Sequence, residues 1–197
     1  GERLFDMTPQ YYKSVLGQDW PGIEEYIAFF KERCDSQLEV LFAVSLVTEY
    51  RLRGFFCNGD FEHWTWISDG AIYLGEPFCA SPCGNGASIA YFKPQVQHEG
   101  RMWDFGIYIG HDNGAPFNKC ELNTLIDIDG WAVHRDERNR DVEKSMASKM
   151  RSIRVLEERF IDHREMAVAV LFSSLLLMDD DPQPGRDKLV RFNFVDQ

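Results

Sequence analysis

Residues 102–109 read Met-Trp-Asp-Phe-Gly-Ile-Tyr-Ile, and this stretch decides the fold class. Its aromatic and β-branched side chains, bounded by turn-forming residues, are typical of a β-strand. A strand of similar character precedes it at 88–92, and another follows at 122–129 after a loop rich in Gly, Asn and Pro at 111–118. Three successive strands joined by loops predict a β-meander.

Helical patterns flank this meander on both sides. Ser36 and Glu39 form a capping-box pattern that opens a helix ending near Gly54. Further helices are predicted at 11–17, from Pro21 onward, at 136–150 and at 160–178, and short strands at 64–67 and 71–74. Segment 152–156 is a strand or a continuation of helix, and 189–195 is a final strand or a linker. This order predicts a single α+β domain over residues 1–197, with a central mixed β-sheet surrounded by α-helices.

The composition excludes several classes of protein. With 44% hydrophobic and 14% aromatic residues, the chain can form a real core, which excludes a disordered acidic tail. The 21 Lys and Arg residues against 32 Asp and Glu residues give a net charge of −11, which argues against coating nucleic acid by bulk charge. The longest apolar run, 166–178, is shorter than the roughly 20 residues that span a bilayer, so no membrane contact is predicted.

Five cysteines are an odd number, which favours free thiols in a reducing compartment. Cys57, His63, Cys79 and Cys83 could together hold a zinc ion, because thiolate and imidazole are its usual ligands. Their spacing matches no common zinc pattern, and ordinary cysteines in loops are the alternative.

Asp104 is the first acidic residue that points to chemistry. Strand alternation puts its side chain on one face with Met102 and Gly106, opposite Trp103 and Phe105. A charge inside such an apolar strand costs free energy unless it is paired or binds a metal. The alternative is an Asp on an edge strand that faces water.

Asp127 and Asp129 lie two residues apart, so both side chains point to one face of their strand. Paired carboxylates suit a hard cation such as Mg²⁺ or Mn²⁺, although both could face solvent beside Gly130. Two successive acidic strands resemble the broad PD-(D/E)xK nuclease class, whose lysine this pair lacks. One hypothesis is therefore an active Mg²⁺- or Mn²⁺-dependent nuclease that uses Asp104, Asp127 and Asp129.

A second hypothesis comes from short segments in a particular order. They are Cys-Asp-Ser-Gln-Leu-Glu-Val-Leu-Phe at 34–42, Trp-Ile-Ser-Asp-Gly at 66–70, Lys-Pro-Gln at 93–95, Trp-Asp-Phe-Gly-Ile at 103–107, Lys119, and Arg-Glu-Met-Ala at 164–167. Together they resemble the N-terminal endonuclease domain of the orthomyxovirus polymerase acidic subunit, as a divergent, thogotovirus-like member of the PD-(D/E)xK superfamily. The resemblance implies one domain of a larger polymerase subunit, with Mn²⁺ or Mg²⁺ as cofactor.

The resemblance also implies residue roles and partners. Asp69 and Asp104 stand where that family has metal-binding Glu, and Lys119 stands for its catalytic lysine, but the family's metal-binding His and central Asp fall on Gln37 and Gln95. Two lost carboxylate or imidazole ligands predict weak or no metal binding and a degenerate site with little endonuclease activity. The implied partners are the other subunits of the polymerase heterotrimer, with only weak binding of viral or capped host RNA, in the host nucleus and virion.

A third hypothesis is a non-enzymatic interaction module whose acidic residues are simply surface. The three hypotheses differ in where the carboxylates converge. Convergence of Asp69, Asp104 and Gln95 favours the polymerase domain, whereas contact of Asp104 with Asp127 and Asp129 favours a nuclease of the wider class.

Overall fold

The computed structural model describes residues 8–53, 65–74, 89–110, 116–129, 151–156 and 189–192, with the backbone alone for 52–53, 89, 129, 151, 156 and 189–192. Within these ranges three helices precede a mixed sheet of seven strands, which confirms the predicted α+β class. The predicted helices at 136–150 and 160–178 lie outside the described residues, as do Cys57, His63, Cys79 and Cys83.

The helices lie at the start of the described chain, and their ends follow from local signals. Thr8 caps the first helix, since its Oγ1 accepts a hydrogen bond of 3.3 Å from the backbone N of Tyr11. Gly17 ends that helix in the left-handed conformation, with φ of 65°. No described helix is long and apolar enough to cross a membrane. The bounds are α1 (Pro9–Leu16), α2 (Ile23–Arg33) and α3 (Gln37–Arg53).

The strands follow one another across the sheet in the order of the sequence. Each of the first four strands pairs antiparallel with the next, so the predicted meander is confirmed, and the last two pairings, of β5 with β6 and of β6 with β7, are parallel. The segments at 152–156 and 189–195 therefore both contribute strands. The bounds are β1 (Thr65–Ser68), β2 (Ala71–Leu74), β3 (Ile89–His98), β4 (Arg101–Gly110), β5 (Glu121–Asp129), β6 (Arg151–Leu156) and β7 (Leu189–Phe192).

The main core lies between the helices and one face of the sheet. Phe92 on β3 and Phe105 on β4 stack with ring centroids 4.8 Å apart. Phe30 of α2 meets Phe92 at 5.9 Å, and Phe42 of α3 meets Phe105 at 5.5 Å. These aromatic contacts fix α3 over the centre of the sheet, so the first turn of α3 lies close to β3 and β4.

A kink in β3 changes which side chains share a face. Gln95 has a φ of 55°, while its neighbours remain in register, Pro94 with Phe105 and Val96 with Trp103. Beyond the kink, Val96 and Trp103 belong to a cluster separate from that of Phe105. Phe92 and Val96, which regular alternation would put on one face of β3, therefore belong to different clusters.

Gly106 on β4 has no room for a side chain. A Cβ atom there would lie 2.9 Å from Cγ2 of Val96 and 3.1 Å from Cδ1 of Leu122. We expect Gly106→Ala to lower the free energy of unfolding by about 1–3 kcal/mol through overpacking, measured by urea denaturation. In a Val96→Ala background the same substitution should cost less, because the nearest methyl group is gone. Equal costs in the two backgrounds would show that Val96 is not the cause.

Candidate functional site

Asp104 and Asp127 each form a hydrogen bond between β4 and β5 at the point where these strands separate. The ladder between these strands ends at the pair Phe105 and Ile126. Beyond it, Oδ1 of Asp127 accepts a hydrogen bond of 3.2 Å from the backbone N of Asp104. In return, Oδ2 of Asp104 accepts one of 2.7 Å from the backbone N of Ile128. Each carboxylate is thus oriented by a backbone N–H of the other residue's strand, which leaves little freedom in its orientation.

Neither residue is an ordinary surface aspartate. β4 lies between β3 and β5, so Asp104 is not on an edge strand, and its side chain is partly buried. Asp127 is buried, with 6% of its surface exposed. The alternative in which these two carboxylates simply face water is therefore wrong. The side chain of Asp129 is not among those described.

Arg154 supplies positive charge from the neighbouring strand. β6 pairs parallel with β5, and the register places Arg154 opposite Asp127. Its Nη1 lies 3.8 Å from Oδ2 of Asp127, and only 2% of the residue is exposed. A buried arginine of this kind is tolerated because it has a carboxylate beside it.

Glu39 lies in the first turn of α3 and approaches Asp104 from there. Its backbone N donates to Oγ of Ser36 at 3.2 Å, and the Ser36 hydroxyl donates back to Oε2 at 2.7 Å. The predicted pairing of Ser36 with Glu39 at the start of the helix is therefore confirmed. A weaker hydrogen bond of 3.5 Å runs from the backbone N of Asp35 to Oε1. The residue is buried, with 6% of its surface exposed.

Capping is only part of what Glu39 does. Nε2 of Gln95 donates a hydrogen bond of 3.1 Å to Oε1 of Glu39, and the Glu39 carboxyl also hydrogen-bonds to Asp104. A sequence signal for this location existed, because Glu39 shares a helical face with Phe42 and Leu46, both of which are buried. An acidic residue on the apolar face of a helix has to find polar partners in the interior.

Burial sets the protonation of this group. It raises the pKa of Glu39, whereas the hydrogen bonds from Ser36 and from the backbone of Asp35 act in the opposite direction. Burial also raises the pKa of Cys34, and the nearby carboxylates of Glu39 and Asp104 raise it further. Cys34 is therefore a neutral thiol and a poor nucleophile. The hydrogen bond with Asp104 also acts to lower the pKa of Glu39, so burial is the main reason that this pKa is raised.

Glu39→Gln should change the pH dependence of stability. Because burial raises the pKa of Glu39 in the folded state, its contribution to stability is full below the unfolded pKa and is lost as pH rises through the folded pKa. Gln mimics the protonated form and still completes the capping box, so the variant should gain stability over wild type as the pH rises above the unfolded-state pKa of about 4. Urea unfolding in EDTA measures this, with Glu121→Gln as the exposed control. A difference that does not grow with pH would contradict the expectation.

The residues implied by the polymerase resemblance do not all converge. Asp69 lies exposed in the turn between β1 and β2, with φ of 49°, and β1 is separated from β4 by two strands, or about 14 Å across the sheet. Nε2 of Gln37 donates to the hydroxyl of Tyr11 on α1. Lys119 is exposed at the end of a short 3-10 turn, where its backbone N donates to Pro116. Of the residues named for that site, Gln95 and Asp104 are the two that lie beside Glu39.

The chemistry of the cluster fits a hard divalent cation. Glu39, Asp104 and Asp127 offer carboxylate oxygens, the ligands that Mg²⁺ and Mn²⁺ prefer. Each carboxylate has about four lone-pair positions, so one backbone hydrogen bond does not exhaust its capacity. In the part of the chain that the structure describes, no group of three or more His, Cys, Asp or Glu side chains is arranged as a metal site. The described carboxylates thus have suitable oxygen atoms but are not grouped as a metal site, and the side chain of Asp129 is not among those described.

Comparison with known proteins adds no relative. The chain matches no protein-family model, and no curated protein or solved structure is detectably similar to it. What the molecule itself defines is an α+β fold with a buried carboxylate cluster where α3, β3, β4 and β5 meet.

Proposed function

We propose that the chain is a metal-dependent nuclease of the PD-(D/E)xK class, which hydrolyses phosphodiester bonds with Asp104, Asp127 and Asp129 as its acidic set. The observation that carries the proposal is the reciprocal hydrogen bonding of Asp104 and Asp127 at the fork of β4 and β5. Asp129 is included from the sequence, because it follows Asp127 by two positions.

Asp104 and Asp127 would act as ligands of the cation. A bound Mg²⁺ or Mn²⁺ would polarise the scissile phosphate and lower the pKa of an attacking water. Asp104 is oriented for a ligand role because the backbone N–H of Ile128 fixes one of its oxygens. Asp127 is held by the backbone of Asp104 and by the guanidinium of Arg154. Preorganised ligands of this kind lose little conformational freedom when a cation arrives.

Glu39 contributes proton chemistry beside those ligands. Its carboxyl is buried, hydrogen-bonded to Asp104, and has a raised pKa. A carboxyl group that holds its proton nearer to neutral pH is suited to general acid or base catalysis. We therefore assign Glu39 the role of a proton donor and acceptor next to Asp104.

The charge of the chain limits how substrate is held. A net charge of −11 gives no long-range attraction for phosphates, so binding depends on contacts close to the site and on the cation itself. This favours a nuclease that cuts at a defined structure or end over one that coats a duplex.

The polymerase domain is the second candidate function. Gln95 lies opposite Asp104 in the β3–β4 hairpin, which is the relation that this resemblance requires. Under it, the chain would bind the other subunits of a viral polymerase and would bind Mn²⁺ weakly. The exposed position of Asp69 and the contact of Gln37 with Tyr11 weigh against it.

A cleavage screen with a binding measurement tests the proposal. The chain is incubated with end-labelled single- and double-stranded RNA and DNA in millimolar Mg²⁺ or Mn²⁺, with EDTA as control. We expect cleavage of at least one substrate that EDTA abolishes, and a Tm that rises with Mn²⁺ concentration because the ion binds the folded state. Intact substrates together with an unchanged Tm would contradict the nuclease proposal. Capture of polymerase subunits without cleavage would favour the second candidate.

A further inference from the structure

Gln95 has a backbone conformation that its position in a strand does not explain. Among the described residues, three that are not glycine have a positive φ, namely Asp69, Gln95 and Glu99. Asp69 and Glu99 lie in the β1–β2 and β3–β4 turns, each followed by a left-handed glycine, where such angles are common. Gln95 lies within β3 with paired residues on both sides. A left-handed residue with a Cβ costs free energy, so something at this position has to offset it.

The side chain of Gln95 gives a reason for the strain. Its Nε2 lies 3.1 Å from Oε1 of Glu39, a residue 56 positions earlier in the chain. On the other side, the register places Gln95 across from Asp104, between the pairs Pro94–Phe105 and Val96–Trp103. The amide of Gln95 therefore connects α3 with β3, the neighbour of the strand that carries Asp104.

We infer that Gln95 is a positioning residue of the carboxylate cluster, whose kinked backbone aims its amide at Glu39 and so fixes the Glu39 carboxyl against Asp104. This inference rests on the proposed cation-dependent nuclease function. An N–H donor to one oxygen of Glu39 orients the other oxygen and adds no further negative charge to an already acidic group. A carboxylate at position 95 would instead place a third acidic side chain beside Glu39 and Asp104, where like charges repel.

The test separates the backbone role of Gln95 from the role of its amide. Gln95→Gly removes the amide and relieves the left-handed strain, so without cation its Tm should not fall below that of wild type. Gln95→Glu keeps the size and removes the donor. Both variants release Glu39 from its position against the ligand Asp104, so we expect Mn²⁺ to bind about 10- to 100-fold more weakly, the usual effect of losing a partner of a ligating carboxylate. Free Mn²⁺ is counted by electron paramagnetic resonance, which needs no activity, and cleavage should lose kcat with KM unchanged.

The control and the possible outcomes keep this inference apart from the function it rests on. Gln97→Gly makes the same change at an exposed position of β3 and should leave Mn²⁺ binding unaltered. Wild-type protein that binds Mn²⁺, with Gln95→Gly binding it equally well, overturns the positioning role and leaves the nuclease proposal standing. Wild-type protein that neither binds Mn²⁺ nor cleaves any substrate overturns both.

Discussion

Arg154→Met should lower the free energy of unfolding by about 3–5 kcal/mol, one of the two largest effects expected in this molecule. Arg154 is 2% exposed and its guanidinium faces Asp127, which is itself buried. Removing the cation leaves the Asp127 carboxylate in the interior, with the backbone N–H of Asp104 as its hydrogen-bond donor. The cost therefore comes mainly from the charge that is left behind, more than from the lost attraction. Urea unfolding at neutral pH in EDTA measures it.

Two further variants show whether that explanation is right. The double variant Arg154→Met/Asp127→Asn removes both charges, so it should recover part of the loss, as replaced buried ion pairs often do. Arg33→Met is the matched control, because Arg33 is exposed and its pair with Glu32 at 3.3 Å should contribute no more than about 1 kcal/mol. If Arg154→Met lowers the free energy of unfolding no more than Arg33→Met does, the surroundings of Asp127 are well solvated.

The fold was largely predictable because its signals are local. The capping box at Ser36 and the alternation of the strands each depend on neighbours within a few residues, and β2 occurs where it was predicted. The burial of Arg154 was harder to predict, since a charged residue in a short segment at 152–156 fits a solvated helix as well as a buried strand. Its burial depends on the parallel pairing of β6 with β5, which is not a local property.

The kink at Gln95 was not predictable for a related reason. Alternation assumes a regular strand, and the sequence Pro-Gln-Val does not indicate that Gln95 adopts a left-handed φ. The contact that stabilises this conformation joins Gln95 to Glu39 across 56 residues. Strain that is supported by a distant partner cannot be seen in a local window.

The site was partly predictable from strand adjacency. Once 102–109 and 122–129 are antiparallel neighbours, Asp104 and Asp127 fall at the same end of the pair, where they meet in the structure. The expectation for Asp69 came from resemblance alone, and the order of the strands puts two of them between Asp69 and Asp104. Register therefore carries more information about this site than the similarity of short segments.

Asp104→Asn should abolish nuclease activity while leaving the fold intact. Asn keeps an oxygen that can accept the hydrogen bond from the backbone N–H of Ile128, so the fork of β4 and β5 is preserved. An Asn amide can also still hydrogen-bond to Glu39, so the free energy of unfolding in EDTA should change by less than about 1 kcal/mol. Cation-dependent transition-state stabilisation amounts to several kcal/mol, which corresponds to a loss in kcat of about a thousandfold.

Asp69→Asn is the control that also separates the two candidate functions. Asn tolerates the left-handed φ of 49° at this turn, so the substitution changes the charge with little change in the backbone. A nuclease built on Asp104 and Asp127 should cleave equally well with either residue at position 69. If Asp69→Asn removes cleavage as completely as Asp104→Asn does, the carboxylates converge as the polymerase resemblance implies. Because Asp104 is common to both arrangements and Asp69 to only one, the ratio of the two rates decides between them.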